Sequence, residues 1–274
     1  MPKLSIITVN YNNSKGLQNT IESVISQNYG GLEFIVIDGN STDSSVAILK
    51  KYDSQIDKWI SEPDTGVYQA MNKGIEMSDG EFILFLNSGD HFYHDKVLLS
   101  VDQNISNEEI ICFDIHMVGL GKDKIKSHPD HLTFSYLFEK TFAHQSVFIK
   151  KELFKKVGLY DETLKIVSDW KFFIEAITFH SCSYKTVHQI LTTYYLDGMS
   201  ATAEGTFKRR EEREKVLKNE FSLFVKDYER LQLLESNRFK ILVELENSKI
   251  AKKINSLWLR ILLKIFRNKN LKDL

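Results

Sequence analysis

The feature that most constrains the fold is a set of short apolar runs, each of which ends in a polar loop. The runs cover residues 4–9, 33–37 and 82–86. The loops that follow them cover residues 10–13, 38–43 and 87–90. A near-continuous apolar run of this length predicts a strand that is buried on both faces, as in a parallel sheet.

Helical patterns separate these predicted strands. Apolar residues follow helical spacing from Leu17 to Ile25, a second helix is predicted from Asp43 or Ser44, and residues 67–77 predict a third. Alternating strands and helices indicate an α/β fold with a Rossmann-like, mostly parallel sheet and flanking helices. Since ligands bind beyond the carboxyl ends of such strands, we expect the three polar loops to form a binding site.

The later part of the chain is less regular. Predicted strands cover residues 109–118, 146–149, 183–188 and 190–196, with a short strand near Trp59, a turn or hairpin at 119–126 and a helix from about Ser168. From about Thr206 the chain is rich in Lys, Arg, Glu and Leu and predicts two or three long helices. We therefore expect an α/β domain at residues 1–204 and a helical C-terminal extension at 205–274.

Composition excludes several classes of protein. The chain has 36 basic and 37 acidic residues, which gives no electrostatic signature of nucleic-acid binding. Its two cysteines, Cys112 and Cys182, lie far apart and are expected to be buried thiols in a reducing compartment. The N-terminal apolar run is too short for a signal peptide. These features predict a cytoplasmic protein.

The first loop has neither GxGxxG nor GxxxxGK[ST], so a dinucleotide site and a P-loop are both disfavoured. A divalent cation on a carboxylate is another way to hold a diphosphate. Asp90 follows an apolar strand directly and is the candidate ligand for Mn²⁺ or Mg²⁺. The alternative is that Asp90 only caps the turn or helix that follows.

Four motifs in order carry a resemblance to a known family. They are TVNYN at residues 8–12, VIDGNSTD at 36–43, DTGVYQAMNKG at 64–74 and GEFILFLNSGD at 80–90. Together they resemble a family 2 glycosyltransferase of the GT-A fold, of the kind that builds bacterial surface polysaccharides. The resemblance covers roughly residues 3–200.

The resemblance implies roles on the nucleotide side of the site. Thr8, Asn10 and Tyr11 would lie against the uridine. Asp38 would accept a hydrogen bond from the uracil N–H, for which an acceptor-only carboxylate is suited. Asp64 and the segment up to Lys73 would line the nucleotide and the sugar.

The resemblance also implies the metal site, with a departure from the family pattern. Asp90 matches the last carboxylate of the DxD-type motif, which holds a metal that bridges the diphosphate. The earlier acidic positions are Asn87 and Gly89 in this chain. Asp90 is therefore nearly solitary among the acidic positions of this motif.

On the acceptor side, the resemblance places the catalytic base at Asp169, in the segment SDWKF at residues 168–172. The usual acidic pair is Ser168-Asp169 here, so Asp169 would act alone. A position at a helix N-terminus favours its ionised form. Asp161 and Glu162 are rival candidates that more readily explain the shape of the preceding loop.

Three further features are assigned to the sugar side by the resemblance. His144 and Trp170 are candidate contacts of the acceptor or donor sugar. The segment at residues 197–200 is expected to form a loop over the site.

The C-terminal segment at residues 250–267 predicts a basic amphipathic helix with Trp258 on its apolar face and Lys253, Arg260 and Lys264 largely away from it. Such a helix can lie in a membrane interface. It can equally pack on the protein itself or in a dimer.

These observations predict an inverting hexosyltransferase that moves a hexose or N-acetylhexosamine from a UDP-sugar to a saccharide acceptor. A polyprenyl-diphosphate-linked acceptor, as in O-antigen or lipopolysaccharide synthesis, would fit an enzyme peripheral to the inner face of the cytoplasmic membrane. Two alternatives remain open on the residues alone. They are a nucleotidyltransferase and a non-catalytic sugar-nucleotide-binding protein.

Overall fold

The structure is a computed structural model that describes residues 3–196 and 202–267. Its strands are β1 (Leu4–Asn10), β2 (Leu32–Asp38), β3 (Lys58–Ser61), β4 (Phe82–Phe85), β5 (His91–Phe92), β6 (Ile110–Gly119), β7 (Lys122–Lys126), β8 (Val147–Lys150) and β9 (Tyr184–Tyr195). Its α-helices are α1 (Ser14–Ile25), α2 (Ser45–Lys51), α3 (Val67–Met77), α4 (Val97–Val101), α5 (Phe134–Glu139), α6 (Lys151–Val157), α7 (Ser168–Thr178), α8 (Ala203–Glu220), α9 (Ser222–Glu235), α10 (Asn237–Glu246) and α11 (Lys249–Arg267). Single 3₁₀ turns cover Asp53–Gln55, Asp102–Asn104 and His144–Ser146.

The chain divides into two compact units, Met1–Glu214 and Lys215–Leu274. The division lies within α8, so the first turns of this helix belong to the first unit. The first unit contains the whole β-sheet with helices α1 to α7. The second contains the end of α8 and helices α9 to α11. The domain boundary expected at residue 204 stays a prediction. The two compact units are defined by how residues pack, which does not test where a functional domain ends.

The first half of the sheet is parallel, as the alternation of strands and helices predicts. Strands β3, β2, β1 and β4 are neighbours in that order, and every pairing among them is parallel. Parallel strands bring their carboxyl ends to one edge, where Asn10 at the end of β1 lies opposite Asp38 at the end of β2. The loops after β1, β2 and β4 therefore share one edge of the sheet.

The second half of the sheet is mixed. Strand β8 is antiparallel to both β4 and β6, while β9 is parallel to β6 and antiparallel to β5. The two strands predicted at residues 183–188 and 190–196 are one strand, β9. Its register with β6 shifts between Phe113 and Asp114, whose partners are Val187 and Ile190. The polar pair His188 and Gln189, where the first predicted strand ends, is thus a bulge and not a strand end.

The core lies on both faces of the sheet, which explains why the strands are apolar along their whole length. On β1, Ile7 packs in the cluster that includes α3, α6 and α7, whereas Ile6 packs in the cluster that includes α1, α2 and α4. The two cysteines are buried thiols, as expected, at 0% exposure for Cys112 and 6% for Cys182.

Helix α3 packs directly on β1. A Cβ atom added at Gly74 would lie 2.4 Å from Cγ2 of Ile7, so only glycine allows this approach. The close packing fixes the position of α3 beside the carboxyl end of β1. It thereby positions Tyr68, whose side chain reaches the second half of the first unit.

The C-terminal segment forms four helices in the part of the chain that the structure describes, α8 to α11, and not the two or three predicted. One break is explained by Ser236, whose hydroxyl accepts a hydrogen bond from the backbone N–H of Phe239 and caps α10. Among the described residues, no helix has the length and apolar character needed to span a membrane.

Candidate functional site

The loops after β1 and β2 are joined by a buried polar network around Asp38. One carboxylate oxygen accepts hydrogen bonds from Asn10 Nδ2 (2.7 Å) and Ser41 Oγ (2.6 Å). The other accepts from Ser41 N (2.9 Å) and Ser61 Oγ (2.6 Å). Burial acts to raise the pKa of Asp38, but these hydrogen bonds outweigh it and the net pKa is lowered.

This network determines what Asp38 offers to a ligand. Its carboxylate is ionised, fully buried and saturated by protein donors, so it orders the loops directly. Uracil would have to replace one of those donors to bind it. Asn10 differs, because its buried Oδ1 has no hydrogen-bond partner among the described residues. That oxygen is an acceptor still available at the edge of the sheet.

The Thr8 side chain lies inside the sheet, below the surface that a ligand can contact. Its side chain is fully buried, and its hydroxyl donates to the carbonyl oxygen of Leu86 at 2.7 Å. The bond ties β1 to the chain that follows β4. Asn13 makes a similar link, because its Nδ2 donates to the carbonyl oxygen of Ser88 at 3.0 Å.

Tyr11, Asp64 and Lys73 lie near the same edge of the sheet. A Cβ atom added at Gly39 would lie 2.6 Å from Asp64 Oδ2 and 3.3 Å from Tyr11 Cδ2, so three loops meet at this glycine. Tyr11 is 67% exposed and offers its ring to a flat ligand. Burial raises the pKa of Asp64. Lys73 makes an ion pair with Glu62 at 2.7 Å.

A separate cleft of about 690 Å³ opens beside this edge. Asp90, His144 and Asp169 line it, together with Asn87 and Ser88 from the loop after β4. The structure thus brings together the predicted metal ligand, the predicted base and both predicted sugar contacts, His144 and Trp170. The cleft lining does not include the predicted uridine contacts or the rival acids Asp161 and Glu162.

Asp169 lies in the first turn of α7, where the backbone N–H groups favour a carboxylate. Its Oδ2 is 3.0 Å from His144 Nδ1, and its Oδ1 accepts a hydrogen bond from the Tyr68 hydroxyl at 2.9 Å. Burial acts to raise the pKa of Asp169, but the hydrogen bonds from His144 and Tyr68 outweigh it. The net pKa is lowered, so Asp169 is an ionised carboxylate at neutral pH.

His144 is held between Asp169 and Asn87. Since an ionised carboxylate only accepts hydrogen bonds, Nδ1 of His144 is the donor in this contact. Nε2 lies 3.5 Å from Asn87 Nδ2, a long contact that leaves room for a ligand group. His144 and Asp169 therefore form a pair at the wall of the cleft.

Asp90 is the candidate metal ligand. It is 6% exposed, and its backbone N–H donates to the Asn87 carbonyl oxygen at 2.9 Å, so a tight turn brings the two residues together. The buried Oδ1 of Asn87 has no hydrogen-bond partner among the described residues. Within those residues, no cluster of three or more His, Cys, Asp or Glu side chains is placed to hold a metal.

The donor set around Asp90 fits a hard cation that takes most of its ligands from substrate. One carboxylate and one amide oxygen come from the protein, and Mg²⁺ commonly binds through one or two carboxylates plus substrate phosphates. Asn87 stands where the family motif has an acidic residue, and its side-chain amide still offers an oxygen. The orphaned amide oxygen is the observation that supports this fit.

Trp170, the second predicted sugar contact, forms part of the cleft wall, and its side chain is buried. The side chain is 1% exposed, and its Nε1 donates to the Leu137 carbonyl oxygen at 2.6 Å. The Arg213 guanidinium stacks on the ring, with Cζ 4.8 Å from the ring centroid. The loop expected at residues 197–200 lies outside the described residues.

Sequence reasoning missed the residues that support the predicted side chains. Ser41 and Ser61 saturate Asp38, and Tyr68 binds Asp169 across 101 positions of sequence. Tyr68 belongs to the third motif. The motif indicated that this residue is important, but it did not indicate that Asp169 is its hydrogen-bond partner. Lys126 and Arg213 in the cleft had no signal in the motifs.

The chain is similar to known proteins in sequence and in fold. Residues 5–159 match the family model described as glycosyl transferase family 2. The chain is 32% identical over 209 residues to an "Uncharacterized glycosyltransferase" of Mycobacterium tuberculosis, a match that covers 74% of this chain and 79% of the relative.

Two solved structures share the fold. S. aureus TarS 1–349, in complex with UDP-GlcNAc, is 18% identical with a TM-score of 0.61, and the match covers 78% of this chain and 66% of TarS 1–349. The mannosyltransferase PcManGT of Pyrobaculum calidifontis, in complex with GDP-Man and Mn²⁺, is 14% identical with a TM-score of 0.56. That match covers 98% of this chain and 88% of PcManGT.

Proposed function

The chain belongs to glycosyl transferase family 2 and is a glycosyltransferase of the GT-A fold, and on this premise we propose its reaction. It transfers a hexose or N-acetylhexosamine from a UDP-sugar to a saccharide acceptor, with inversion at the anomeric carbon. The observation that carries the proposal is that Asp90 and Asp169 line one cleft beside the polar edge of the sheet. The neighbour with bound UDP-GlcNAc supports the choice of donor.

In this reaction Asp169 accepts the proton of the acceptor hydroxyl. The hydroxyl oxygen forms a bond to the anomeric carbon, the bond from that carbon to the diphosphate breaks, and UDP leaves. His144 and Tyr68 orient the Asp169 carboxylate through their hydrogen bonds. General-base catalysis of this kind requires the base to be ionised, which the lowered pKa of Asp169 supports.

Asp90 and Asn87 are the residues that would hold Mn²⁺ or Mg²⁺. When bound, the cation supplies positive charge to the leaving diphosphate. The neighbour with bound Mn²⁺ supports this cofactor for the fold.

The nucleotide binds at the edge where β1 and β2 end. Tyr11 offers an exposed ring for stacking, and Asn10 Oδ1 is a buried acceptor without a partner. Asp38, Asp64 and Lys73 hold the loops around them, while Thr8 supports the edge from within the sheet. The membership of the family favours sugar transfer over nucleotidyl transfer or a purely binding role.

Calorimetric titration with UDP and a panel of UDP-sugars, with Mn²⁺ and then with chelator, tests the donor. We expect binding that is strengthened by Mn²⁺ and selective for one sugar. Tyr11→Ala should weaken UDP binding roughly tenfold, because stacking of a base on an aromatic ring contributes about 1–3 kcal/mol. The matched control is Tyr93→Ala, whose ring is also exposed but lies outside the polar edge. No binding of any uridine nucleotide would contradict the proposal.

The acceptor is proposed to be lipid-linked, as in polysaccharide, O-antigen or lipopolysaccharide synthesis at the inner face of the cytoplasmic membrane. Helix α11 supports this placement. It contains no acidic residue, and its exposed apolar side chains include Leu257 (61%), Trp258 (59%) and Ile261 (38%). A basic helix with an exposed apolar face can lie in the interface of an anionic bilayer.

Flotation with phosphatidylglycerol vesicles tests this placement. Replacing Leu257 and Ile261 by serine should reduce vesicle binding by at least about tenfold, because each apolar side chain contributes roughly 2 kcal/mol on burial. The matched control replaces Ile241 and Leu245 of α10, which are also exposed. Equal binding by the full chain and by a chain without residues 250–274 would refute it.

A further inference from the structure

The cleft carries an excess of positive charge. Its lining includes Lys15, Lys126, Lys165, Arg209 and Arg213. The acidic residues among the lining are Asp90 and Asp169. One sign of charge in a concave site concentrates ligands of the opposite charge. The cleft therefore favours a substrate with more negative charge than a neutral saccharide carries.

Two of these cations are held against the wall that contains Asp169. Lys126 Nζ donates to the Thr141 carbonyl oxygen at 3.0 Å, and Arg213 Nη1 donates to the Glu139 carbonyl oxygen at 2.8 Å. Both hydrogen bonds go to backbone carbonyls of one short stretch, which holds the two cationic groups at the same side of the cleft.

The Asp169 carboxylate attracts both cations, but no ion pair of Lys126 or Arg213 with a carboxylate is formed within the ranges that the structure describes. In addition, Arg213 Nε is buried without a hydrogen-bond partner. Burial lowers the pKa of Lys126 to about 8 and that of Arg213 to about 10. Burial outweighs the attraction of Asp169 for both groups, and two buried cations that share one carboxylate are costly, so their retention in a cleft indicates an anionic ligand.

The position of Lys126 separates it from the diphosphate of the donor. Strand β5 begins directly after Asp90, and β5, β9, β6 and β7 are successive neighbours. The aligned positions are His91, Thr193, His116 and Ile125. Three strand spacings amount to about 14 Å. Lys126, next to Ile125, therefore lies about three strand spacings from the strand that follows Asp90, and the charge of Asp169, the proposed base, acts on it.

We propose that Lys126 and Arg213 bind a phosphate group of the acceptor, so that the enzyme uses a phosphorylated saccharide. The inference rests on the proposed glycosyltransferase reaction and specifies its acceptor. A phosphate suits this pair because it offers several oxygens, so the planar guanidinium and the ammonium bind it together. The phosphate belongs either to a lipid diphosphate carrier or to the saccharide chain.

The test is calorimetric titration of inorganic pyrophosphate into the full-length enzyme saturated with UDP and Mn²⁺. We expect a second anion site to remain open. Lys126→Met and Arg213→Gln should each weaken pyrophosphate binding tenfold or more, with UDP affinity changed less than twofold. The matched controls are Lys122→Met on β7 and Arg210→Gln on α8, which lie outside the cleft lining.

Two results would overturn the proposal. One is that the UDP-saturated enzyme binds no pyrophosphate. The other is that the variants weaken UDP as much as pyrophosphate, which would assign both cations to the donor. Arg213→Lys, which keeps the charge, and a thermal unfolding curve for each variant separate lost binding from lost folding. Titration with UDP in the absence of pyrophosphate tests the donor of the proposed reaction. A failure of the proposed reaction can therefore be distinguished from a failure of the phosphate site.

A second pair of probes identifies the source of the phosphate. Farnesyl diphosphate and N-acetylglucosamine 1-phosphate are titrated into the same UDP-saturated enzyme. In either case, loss of binding in Lys126→Met supports the site. Tighter binding of farnesyl diphosphate assigns the phosphate to a lipid carrier, and tighter binding of the sugar phosphate assigns it to the saccharide.

Discussion

Asp169→Asn is expected to lower turnover by about 10³-fold while UDP affinity changes less than twofold, because general-base catalysis contributes roughly 10²–10⁴-fold. The substitution removes the charge that accepts the proton but preserves the size of the side chain. The asparagine oxygen still accepts a hydrogen bond from Tyr68 or His144. Steady-state rates with saturating donor and acceptor, together with UDP titration, measure the two effects.

The control for this variant is Asp161→Asn. Asp161 makes an ion pair with Lys171 at 3.1 Å and accepts hydrogen bonds from Thr163, so it stabilises its own loop. The Asp161→Asn variant should therefore keep most of the wild-type activity. If Asp161→Asn lost turnover and Asp169→Asn kept it, the base would have been assigned to the wrong residue.

The pH profile of the wild-type enzyme gives an independent check. The pKa of Asp169 is lowered in the folded protein, so its carboxylate stays ionised as pH falls and gains a proton only below the ordinary value of an aspartate. We therefore expect no loss of activity from Asp169 between pH 7 and about 5. His144→Gln should shift the acid limb upward, because it removes the first of the hydrogen bonds that lower the pKa.

Asp90→Asn is expected to abolish the effect of Mn²⁺ on UDP binding and to lower turnover roughly 10²–10³-fold, since a metal contributes several kcal/mol of charge stabilisation. Asparagine keeps the shape of the turn but removes the negative charge. Calorimetric titration of UDP with and without Mn²⁺ measures the first effect directly, without reference to catalysis.

Asp95→Asn is the matched control, because Asp95 is an exposed carboxylate only five positions further on. In chelator, the wild type and Asp90→Asn should bind UDP equally, which shows that the nucleotide edge is intact. A variant that retained the full Mn²⁺ effect would exclude Asp90 as the ligand.

The sequence predicts well whatever depends on local pattern. The helix at residues 67–77 and the helix start at Ser168 match α3 and α7, because apolar spacing and motif edges lie within one element. The buried strands β1, β2 and β4 follow for the same reason. Their parallel pairing then places the polar loops at one edge without further information.

Contacts between distant elements were not predictable in the same way. Saturation of Asp38 by Ser61 depends on how β3 pairs with β2, and the Tyr68–Asp169 hydrogen bond depends on packing between the two halves of the first unit. The bulge in β9 was missed because two polar residues in a strand resemble a strand end. The extra C-terminal helix was missed because its breaks contain no glycine or proline.

The burial of Trp170 gives the cleft an optical reporter. The chain contains three tryptophans, and Trp170 is 1% exposed, whereas Trp258 is 59% exposed and Trp59 is only partly buried. With Trp59 and Trp258 replaced by phenylalanine, the remaining indole emission would arise from the ring on which Arg213 stacks. An anion that draws the guanidinium away from this ring would change its fluorescence, so occupancy of the cleft could be followed in real time, without radiolabelled sugars.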